Sequence, residues 1–240
     1  MKTKLENKLL VDNASLDAVL LAGKPVRIQT LNLHHLYLAT CNHEFRKALL
    51  AADFVTADGW PIQLLFWNQK PKRVTGSDLM VRIASGGLGQ ISVALIGASK
   101  RVGDKFEAIC RHSGVQVVFR EHGLASEWVI ESLALEVGQM QPSIVLLAVT
   151  PPTGEIIADK LATIKLSSCL ISVGGAVDML VGEQRRAPLV IQKSQMEWLF
   201  RLLGNPARFA RRYLFEGLPM FADLCVAALK TQLSPKNRAK

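Results

Sequence analysis

Residues 144–149 read Ile-Val-Leu-Leu-Ala-Val, an uninterrupted apolar run that Pro151-Pro152 follows closely. Such a run, without alternating polar residues, is typical of a strand buried on both faces of a sheet. Helical periodicity flanks it, with helices predicted over Ser126–Met140 and Glu155–Ile164. This order of strands and helices predicts βαβ units, in which helices cover both faces of a parallel sheet.

The same alternation extends along most of the chain. The other predicted strands are Leu9–Asp12, Pro25–Leu31, Asp53–Ala57, Ile91–Ile96, Val115–Phe119 and Cys169–Val173. The other predicted helices of this part are Leu16–Leu21, His34–Ala52, a short helix from Pro61, Ser77–Ser85 and Arg101–His112. The sequence therefore predicts an α/β fold with a Rossmann-like, mostly parallel sheet and helices on both faces.

The C-terminal quarter of the chain differs from the rest in its predicted secondary structure and in its charge. The chain carries a net charge of +9, and residues 185–240 hold eleven basic residues against three acidic ones. Three helices are predicted there, over Ser194–Leu203, Ala207–Glu216 and Pro219–Leu233. We therefore divide the chain into an α/β catalytic domain, residues 1–190, and a helical appendage, residues 191–240.

Helical spacing places Arg208, Arg211 and Arg212 on one face of the second of these helices, beside the apolar third helix. A basic helix next to an apolar one is typical of a surface that lies on an anionic membrane without spanning it. A solvated helical hairpin packed on its own core is the alternative. Nucleic acid would attract the same charge, but the sequence has no stacking platform or known nucleic-acid-binding motif, so no nucleic-acid partner is predicted.

Composition excludes several other classes. With 49% hydrophobic and 20% charged residues, the chain can form a sizeable core. The four cysteines are widely spread and form no Cys-x-x-Cys pair, and the five histidines show no metal-binding spacing, so neither a metal nor a cofactor is predicted. The first residues show no secretory signal pattern, and no apolar run reaches the roughly 18 residues that a spanning helix needs, which predicts a cytoplasmic protein.

In an open parallel sheet, ligands bind outside the carboxyl ends of the strands. Asp58 directly follows the Asp53–Ala57 strand, and Gly59 lets the backbone turn there. We therefore take Asp58 as the first catalytic candidate. Other polar or glycine residues that follow predicted strands are expected to line the same crevice as substrate-binding residues: Thr30, Asn32, Gly97, Gly123, Gly174, Gly175 and Asp178.

Structural explanations remain open for these residues. Asp-Gly is a common turn pair, Asp is a common helix N-cap before a proline, and glycines are frequent in the loops of α/β folds. No Gly-x-Gly-x-x-Gly or P-loop pattern follows a strand, which disfavours an ordinary dinucleotide site and with it a soluble dehydrogenase.

Several blocks of the chain resemble the WecG/TagA/CpsF family of bacterial glycosyltransferases, from about Leu9 to Tyr213. The most specific are Arg185-Arg186-Ala187-Pro188 and Glu197-Trp198-Leu199-Phe200-Arg201-Leu202. The other blocks are Thr30-Leu31-Asn32, Ala57-Asp58-Gly59, Arg73-Val74-Thr75-Gly76-Ser77-Asp78-Leu79, Val173-Gly174-Gly175-Ala176-Val177-Asp178, Asn205-Pro206-Ala207-Arg208 and Arg211-Arg212-Tyr213.

This resemblance implies an inverting, metal-independent transfer of a sugar from a UDP-sugar to a polyprenyl-diphosphate-linked acceptor sugar. The reaction would take place on the inner face of the plasma membrane, with the protein bound peripherally. Asp58 would be the general base, Thr30 and Asn32 would line the donor sugar, and Gly174, Gly175 and Asp178 would bind the nucleotide end. The resemblance adds Arg73, Gly76 and Arg186 as substrate-binding residues, and Arg201, Arg208, Arg211 and Arg212 as candidates for membrane or lipid phosphate.

One block departs from the family pattern. Where the family usually reads Pro-Lys-Gln-Glu, this chain has Pro152-Thr153-Gly154-Glu155, so an amide side chain is missing. Either the protein uses a different sugar, or Thr153 or Glu155 compensates, or the activity is weak. A non-enzymatic protein that binds nucleotide-sugars or nucleic acid is the alternative function, and a homo-oligomeric state is left open.

Overall fold

A computed structural model describes residues 1–164 and 166–233 of the chain. Seven parallel strands form its sheet, in the order β1-β3-β2-β7-β6-β4-β5. The strands are β1 (Leu9–Leu10), β2 (Arg27–Leu31), β3 (Phe54–Ala57), β4 (Ser92–Ile96), β5 (Gln116–Glu121), β6 (Ile144–Leu147) and β7 (Cys169–Ser172). The predicted α/β class with a parallel sheet is therefore confirmed.

Fourteen α-helices are present among the described residues. They are α1 (Lys2–Glu6), α2 (Asn13–Leu21), α3 (Leu33–Cys41), α4 (His43–Ala51), α5 (Trp60–Leu65), α6 (Gly76–Ala84), α7 (Lys100–His112), α8 (Ile130–Met140), α9 (Thr153–Thr163), α10 (Ala176–Leu180), α11 (Leu189–Lys193), α12 (Glu197–Gly204), α13 (Pro206–Ala210) and α14 (Leu218–Leu233). Short 3-10 turns lie at Trp67–Gln69 and Ala125–Glu127, and a π-helical segment spans Arg211–Gly217.

Side chains of each central strand alternate between two covered faces. On β2, Ile28 packs into the cluster that α2, α6, α7 and α10 cover, whereas Leu31 packs into the cluster under α1, α3, α4 and α5. Helices α8 and α9 cover the rest of this second face. Burial on both faces explains why the central strands read as continuous apolar runs in the sequence.

The strand order creates a switch point between β2 and β7. These two strands are paired, with Gln29 opposite Ser172. The chain leaves β2 toward α3 on one face of the sheet and leaves β7 toward α10 on the other. Because the two connections diverge, a crevice opens at the carboxyl ends of the strands, which is where ligands bind in such sheets.

The C-terminal helices pack against the α/β core. Met220 and Leu224 of α14 contact the hydrophobic cluster under α3 and α5. The ring of Phe221 lies 4.8 Å from that of Trp60 in an edge-to-face arrangement. Among the described residues, none of the helices combines the length and the apolar character that crossing a bilayer requires.

Several predicted helices differ from the observed ones. The helix predicted over Ser194–Leu203 begins only at Glu197, because the preceding helix α11 ends at Lys193. The single helix predicted over His34–Ala52 is broken at Asn42, because the Asn42 side chain caps a new helix by accepting a hydrogen bond from Phe45 N at 2.8 Å. The helix predicted from Ser126 begins only at Ile130, after a 3-10 turn. The helix predicted over Ala207–Glu216 becomes π-helical from Arg211, which changes the angular spacing of its side chains.

Candidate active site

Strand register brings Asn32 and Asp58 together. Leu31 of β2 pairs with Ala57 of β3, so the next residue of each strand leaves the sheet at the same edge. The backbone N–H of Asp58 donates a hydrogen bond to Leu31 O at 2.8 Å, and Gly59 then turns with φ of 111°. Gly59, and not Asp58, is the N-cap of α5, so the Asp58 carboxylate is not used as a helix cap.

Two adjoining cavities lie at this edge of the sheet. The smaller one, about 80 Å³, is lined mainly by loops that follow β2, β6 and β7. Thr30, Gly76, Gly174 and Gly175, all predicted as substrate-binding residues, line it. Its other lining residues include Thr150, Pro151, Glu155, Gln184, Arg208 and Phe209.

The larger cavity, about 270 Å³, is walled mainly by aromatic and apolar side chains. Trp60 follows Asp58-Gly59, and Trp198 of α12 lies edge-to-face with Tyr213, with 6.1 Å between the ring centroids. Other apolar lining residues are Leu33, Pro61, Leu218 and Phe221. The C-terminal helices thus complete a cavity that the α/β core leaves open.

Asp58 lines both cavities, together with Asn32, Arg201 and Arg212. Burial raises the pKa of the Asp58 carboxyl above its ordinary value, because the charged form has lost water. The positive charges of Arg201 and Arg73 oppose this rise. The result is a partly desolvated carboxylate that is more basic than an exposed one.

The arginines around Asp58 carry positive charge with little compensation. Within the described residues, no carboxylate lies within 4.0 Å of a guanidinium nitrogen of Arg201, Arg208 or Arg212. Arg201 instead donates to the sulfur of Met179 at 3.4 Å, and the buried Nε of Arg212 has no hydrogen-bond partner there. The buried Arg212 guanidinium lacks the partner that a buried cation normally has, and Arg201 and Arg208 add positive charge beside it, so this place is suited to an anionic ligand.

Arg73 and Arg186, in contrast, are already paired. Glu197, which is buried, accepts a hydrogen bond from Arg73 and lies 4.0 Å from Arg186. Arg186 also pairs with Asp78, whose carboxylate accepts a hydrogen bond from Thr75 Oγ1 at 2.8 Å. Three of the sequence blocks quoted above are therefore joined in one ionic network, which ties α12 to the loop before α6.

Two neighbouring histidines have different surroundings. Burial and the charge of Arg212 lower the pKa of His34 to about 3, so this ring is neutral at physiological pH. It lines the larger cavity, with Nδ1 at 3.1 Å from Glu216 Oε2. His35 lines the smaller cavity, with Nε2 at 3.5 Å from the buried Glu155 carboxylate. That carboxylate accepts a hydrogen bond from Gln29.

The position of Gly154 explains why no side chain stands there. A Cβ atom at this residue would lie 2.6 Å from Val149 O, closer than any ordinary contact. The loop backbone therefore occupies the space that a side chain would need. Glu155, one residue further, is buried and lines the smaller cavity.

Some predicted site residues lie outside both cavities. Gly97 lies against Val149, where a Cβ would overlap the valine side chain, and Gly123 lies near Glu127 and Trp128. Asp178 is next to the site, with Oδ2 at 3.8 Å from where a Cβ of Gly175 would be. Arg186 belongs to the ionic network, and the side chain of Arg211 is 84% exposed and pairs with Glu216.

Sequence reasoning missed most of the larger cavity. Trp60 lies two residues after Asp58 in the sequence, and Tyr213 directly follows Arg212 in a block that carries the family resemblance; these were the signals available for them. Gln195 gave no signal, because its placement depends on how α11 and α12 pack.

Together these observations define an α/β protein whose ligand site lies at the switch point of a parallel sheet and is suited to an anionic ligand. The family model of the glycosyl transferase WecG/TagA/CpsF family matches residues 8–234 of the 240, and the chain belongs to that family. The resemblance seen in the sequence is confirmed. Membership implies a glycosyltransferase in cell-envelope polysaccharide synthesis.

Proposed function

We propose that this protein is an inverting, metal-independent glycosyltransferase that transfers a sugar from a UDP-sugar to a polyprenyl-diphosphate-linked acceptor sugar. The observation that carries the proposal is the position of Asp58 at the boundary of two cavities of different character. A transferase needs its base between donor and acceptor, and this carboxylate lines both sites.

The smaller cavity is the proposed donor site. Gly174 and Gly175 follow β7 and leave room for the ligand, while Arg208 and Arg212 face the same space. A UDP leaving group carries a diphosphate whose negative charge grows as the sugar is lost. Arginine side chains and backbone amides can stabilise this charge in the transition state.

The larger cavity is the proposed acceptor site. Aromatic rings such as Trp60 and Trp198 offer flat apolar surfaces on which the C–H face of a sugar can pack. An acceptor sugar held there would present a hydroxyl group to Asp58 from the side opposite the donor cavity.

The chemistry then follows from this arrangement. The Asp58 carboxylate removes the proton of the acceptor hydroxyl as its oxygen attacks the anomeric carbon of the donor. The bond between this carbon and the UDP oxygen breaks, UDP leaves with the electron pair, and the configuration at the anomeric carbon inverts. General base catalysis of this kind contributes about a hundred- to ten-thousand-fold in rate.

We further propose that the helices after residue 190 hold the protein on the inner face of the plasma membrane. Several large apolar side chains there face solvent, among them Leu203 and Phe215, which are 74% and 73% exposed. Together with the basic charge of this region, they form a surface suited to anionic lipid.

The test combines ligand binding with transfer. A thermal-shift screen against a panel of UDP-sugars should find at least one that stabilises the protein, because a ligand at a hundred times its dissociation constant adds about 2.7 kcal/mol. That compound should then act as donor to a farnesyl-diphosphate-linked N-acetylhexosamine. Salt-sensitive binding of duplex DNA without any affinity for UDP-sugars would contradict the proposal and favour a nucleic-acid-binding protein.

A further inference from the structure

Gln195 occupies a position that normally requires glycine. It directly follows the C-cap of α11, and its backbone has φ of 61°, in the left-handed region. The N–H of Gln195 donates to Gln192 O and the N–H of Met196 donates to Ile191 O, both at 3.1 Å. These two hydrogen bonds form the Schellman motif that ends helices, in which the left-handed residue is usually glycine and sometimes asparagine.

A residue with a longer side chain is disfavoured in this conformation. Its Cβ crowds the backbone, which is why left-handed residues other than glycine are uncommon and are often found at functional sites. Two other non-glycine residues share the conformation among the described residues, Lys70 and Gln141. Neither of them lines the two cavities.

The side chain of Gln195 lines the larger cavity, and its amide oxygen is left without a partner. Oε1 of Gln195 is buried and accepts no hydrogen bond from any described residue. Its neighbours in the same wall are already engaged, since Glu197 pairs with Arg73 and Trp198 packs against Tyr213. Buried amide oxygens are nearly always satisfied, so an unpaired one in a residue that lines a cavity indicates a side-chain amide that is free to pair with a polar group of a ligand.

We propose that Gln195 is a specificity-determining residue of the acceptor site, whose side-chain amide forms a hydrogen bond with a polar group of the acceptor sugar. This role rests on the proposed function, since it assigns the larger cavity to the acceptor. It explains why the chain keeps a glutamine where glycine would fit the backbone better.

The test compares two glutamine-to-glycine variants. Q195G relieves the left-handed backbone and removes the amide from the cavity. Q141G makes the same change at the exposed residue after α8, outside both cavities, and serves as the matched control. Thermal unfolding and steady-state transfer to a farnesyl-diphosphate-linked N-acetylhexosamine are measured for both variants and for the wild type.

We expect the unfolding midpoint of neither variant to fall below that of the wild type. For Q195G, KM for the acceptor should rise about five- to tenfold, the effect of losing one hydrogen bond, while KM for the UDP-sugar stays the same. Q141G should leave both values unchanged. A residue that matters only for folding would instead lower the midpoint.

Two results would overturn this role, and they are distinguishable. Transfer by Q195G with an unchanged KM for the acceptor contradicts the role of Gln195 alone and leaves the proposed function intact. Absence of transfer by the wild type with every UDP-sugar of the panel contradicts the proposed function and this role together.

Discussion

Asp58 and Arg212 are far apart in the chain, yet both line the two cavities at the place where the cavities meet. Asp58 reaches this point because β3 ends there. Arg212 lies at the start of the π-helical segment after α13 and lines the cavities, while the adjacent Arg211 faces solvent. The proposed catalytic site therefore depends on the C-terminal helices as much as on the sheet.

The two adjacent arginines provide a matched pair of variants. Arg212→Gln removes a guanidinium from the proposed donor site, and we expect KM for the UDP-sugar to rise roughly 10- to 100-fold, because hydrogen bonds to charged groups contribute about 1.5 to 3 kcal/mol. Arg211→Gln removes an exposed guanidinium and should leave KM unchanged. Steady-state kinetics at saturating acceptor measure both values. Equal KM values in the two variants would exclude Arg212 from the donor site.

The pH dependence of transfer reports on Asp58. The base acts as a carboxylate, so kcat/KM should fall as the pH falls through the pKa of Asp58, which burial raises above the ordinary aspartate value. Arg201→Gln removes the strongest of the charges that oppose this rise, so the acid limb of the profile should move to higher pH. Arg120→Gln, at a surface ion pair with Asp104, is the control and should leave the limb in place. A limb that moves to lower pH in Arg201→Gln would contradict the assignment.

Membrane binding should depend on the exposed apolar residues of the C-terminal helices. In a variant that carries both Leu203→Ser and Phe215→Ser, the fraction that sediments with anionic vesicles should drop at least tenfold, because each buried apolar side chain contributes about 1.5 to 3 kcal/mol. Leu135→Ser changes a side chain of α8 that is 64% exposed and should have no effect. Unchanged sedimentation of the double variant would place the membrane contact elsewhere.

The first turn of α9 should not accept the family's usual glutamine at residue 154. In Gly154→Gln the new Cβ would press on Val149 O, so we expect a loss of about 2 kcal/mol in the free energy of unfolding. Gly204→Gln is the control, since a Cβ at Gly204 meets nothing within 4 Å, and its stability should change by less than about 0.5 kcal/mol. Full stability of Gly154→Gln, measured by urea unfolding, would show that this turn can rearrange and that the glycine is not required by packing.

Much of the fold could be predicted from the sequence, because buried parallel strands leave continuous apolar runs such as Ile144–Leu147. The position of Asp58 at the edge of the sheet could be predicted as well, since the end of a parallel strand is a place that topology defines. The order of the strands within the sheet could not be predicted, because many different orders are compatible with the same positions of the strands along the chain. The break at Asn42 was missed because an internal asparagine cap looks like any polar residue of an amphipathic helix.

The larger cavity could not be predicted, for a different physical reason. Its walls come from α5, α12, the π-helical segment and α14, and the packing of these distant segments is not encoded in local periodicity. The π-helical segment also changes the spacing that had placed Arg208, Arg211 and Arg212 on one face. The directions of the side chains after such a segment can be read only from the structure.

The most direct test of Asp58 as the general base is the Asp58→Asn variant, assayed for both stability and transfer. Burial raises the pKa of Asp58 in the folded state, so the folded protein favours the protonated, neutral carboxyl group. The free energy of unfolding therefore decreases as the pH rises through that pKa and the group becomes charged. The neutral asparagine should therefore make the protein at least as stable as the wild type at neutral pH. Transfer from the matching UDP-sugar to the farnesyl-diphosphate-linked acceptor should fall by about a hundredfold or more. A stable Asp58→Asn protein with wild-type kcat would contradict the assignment of Asp58 as the base.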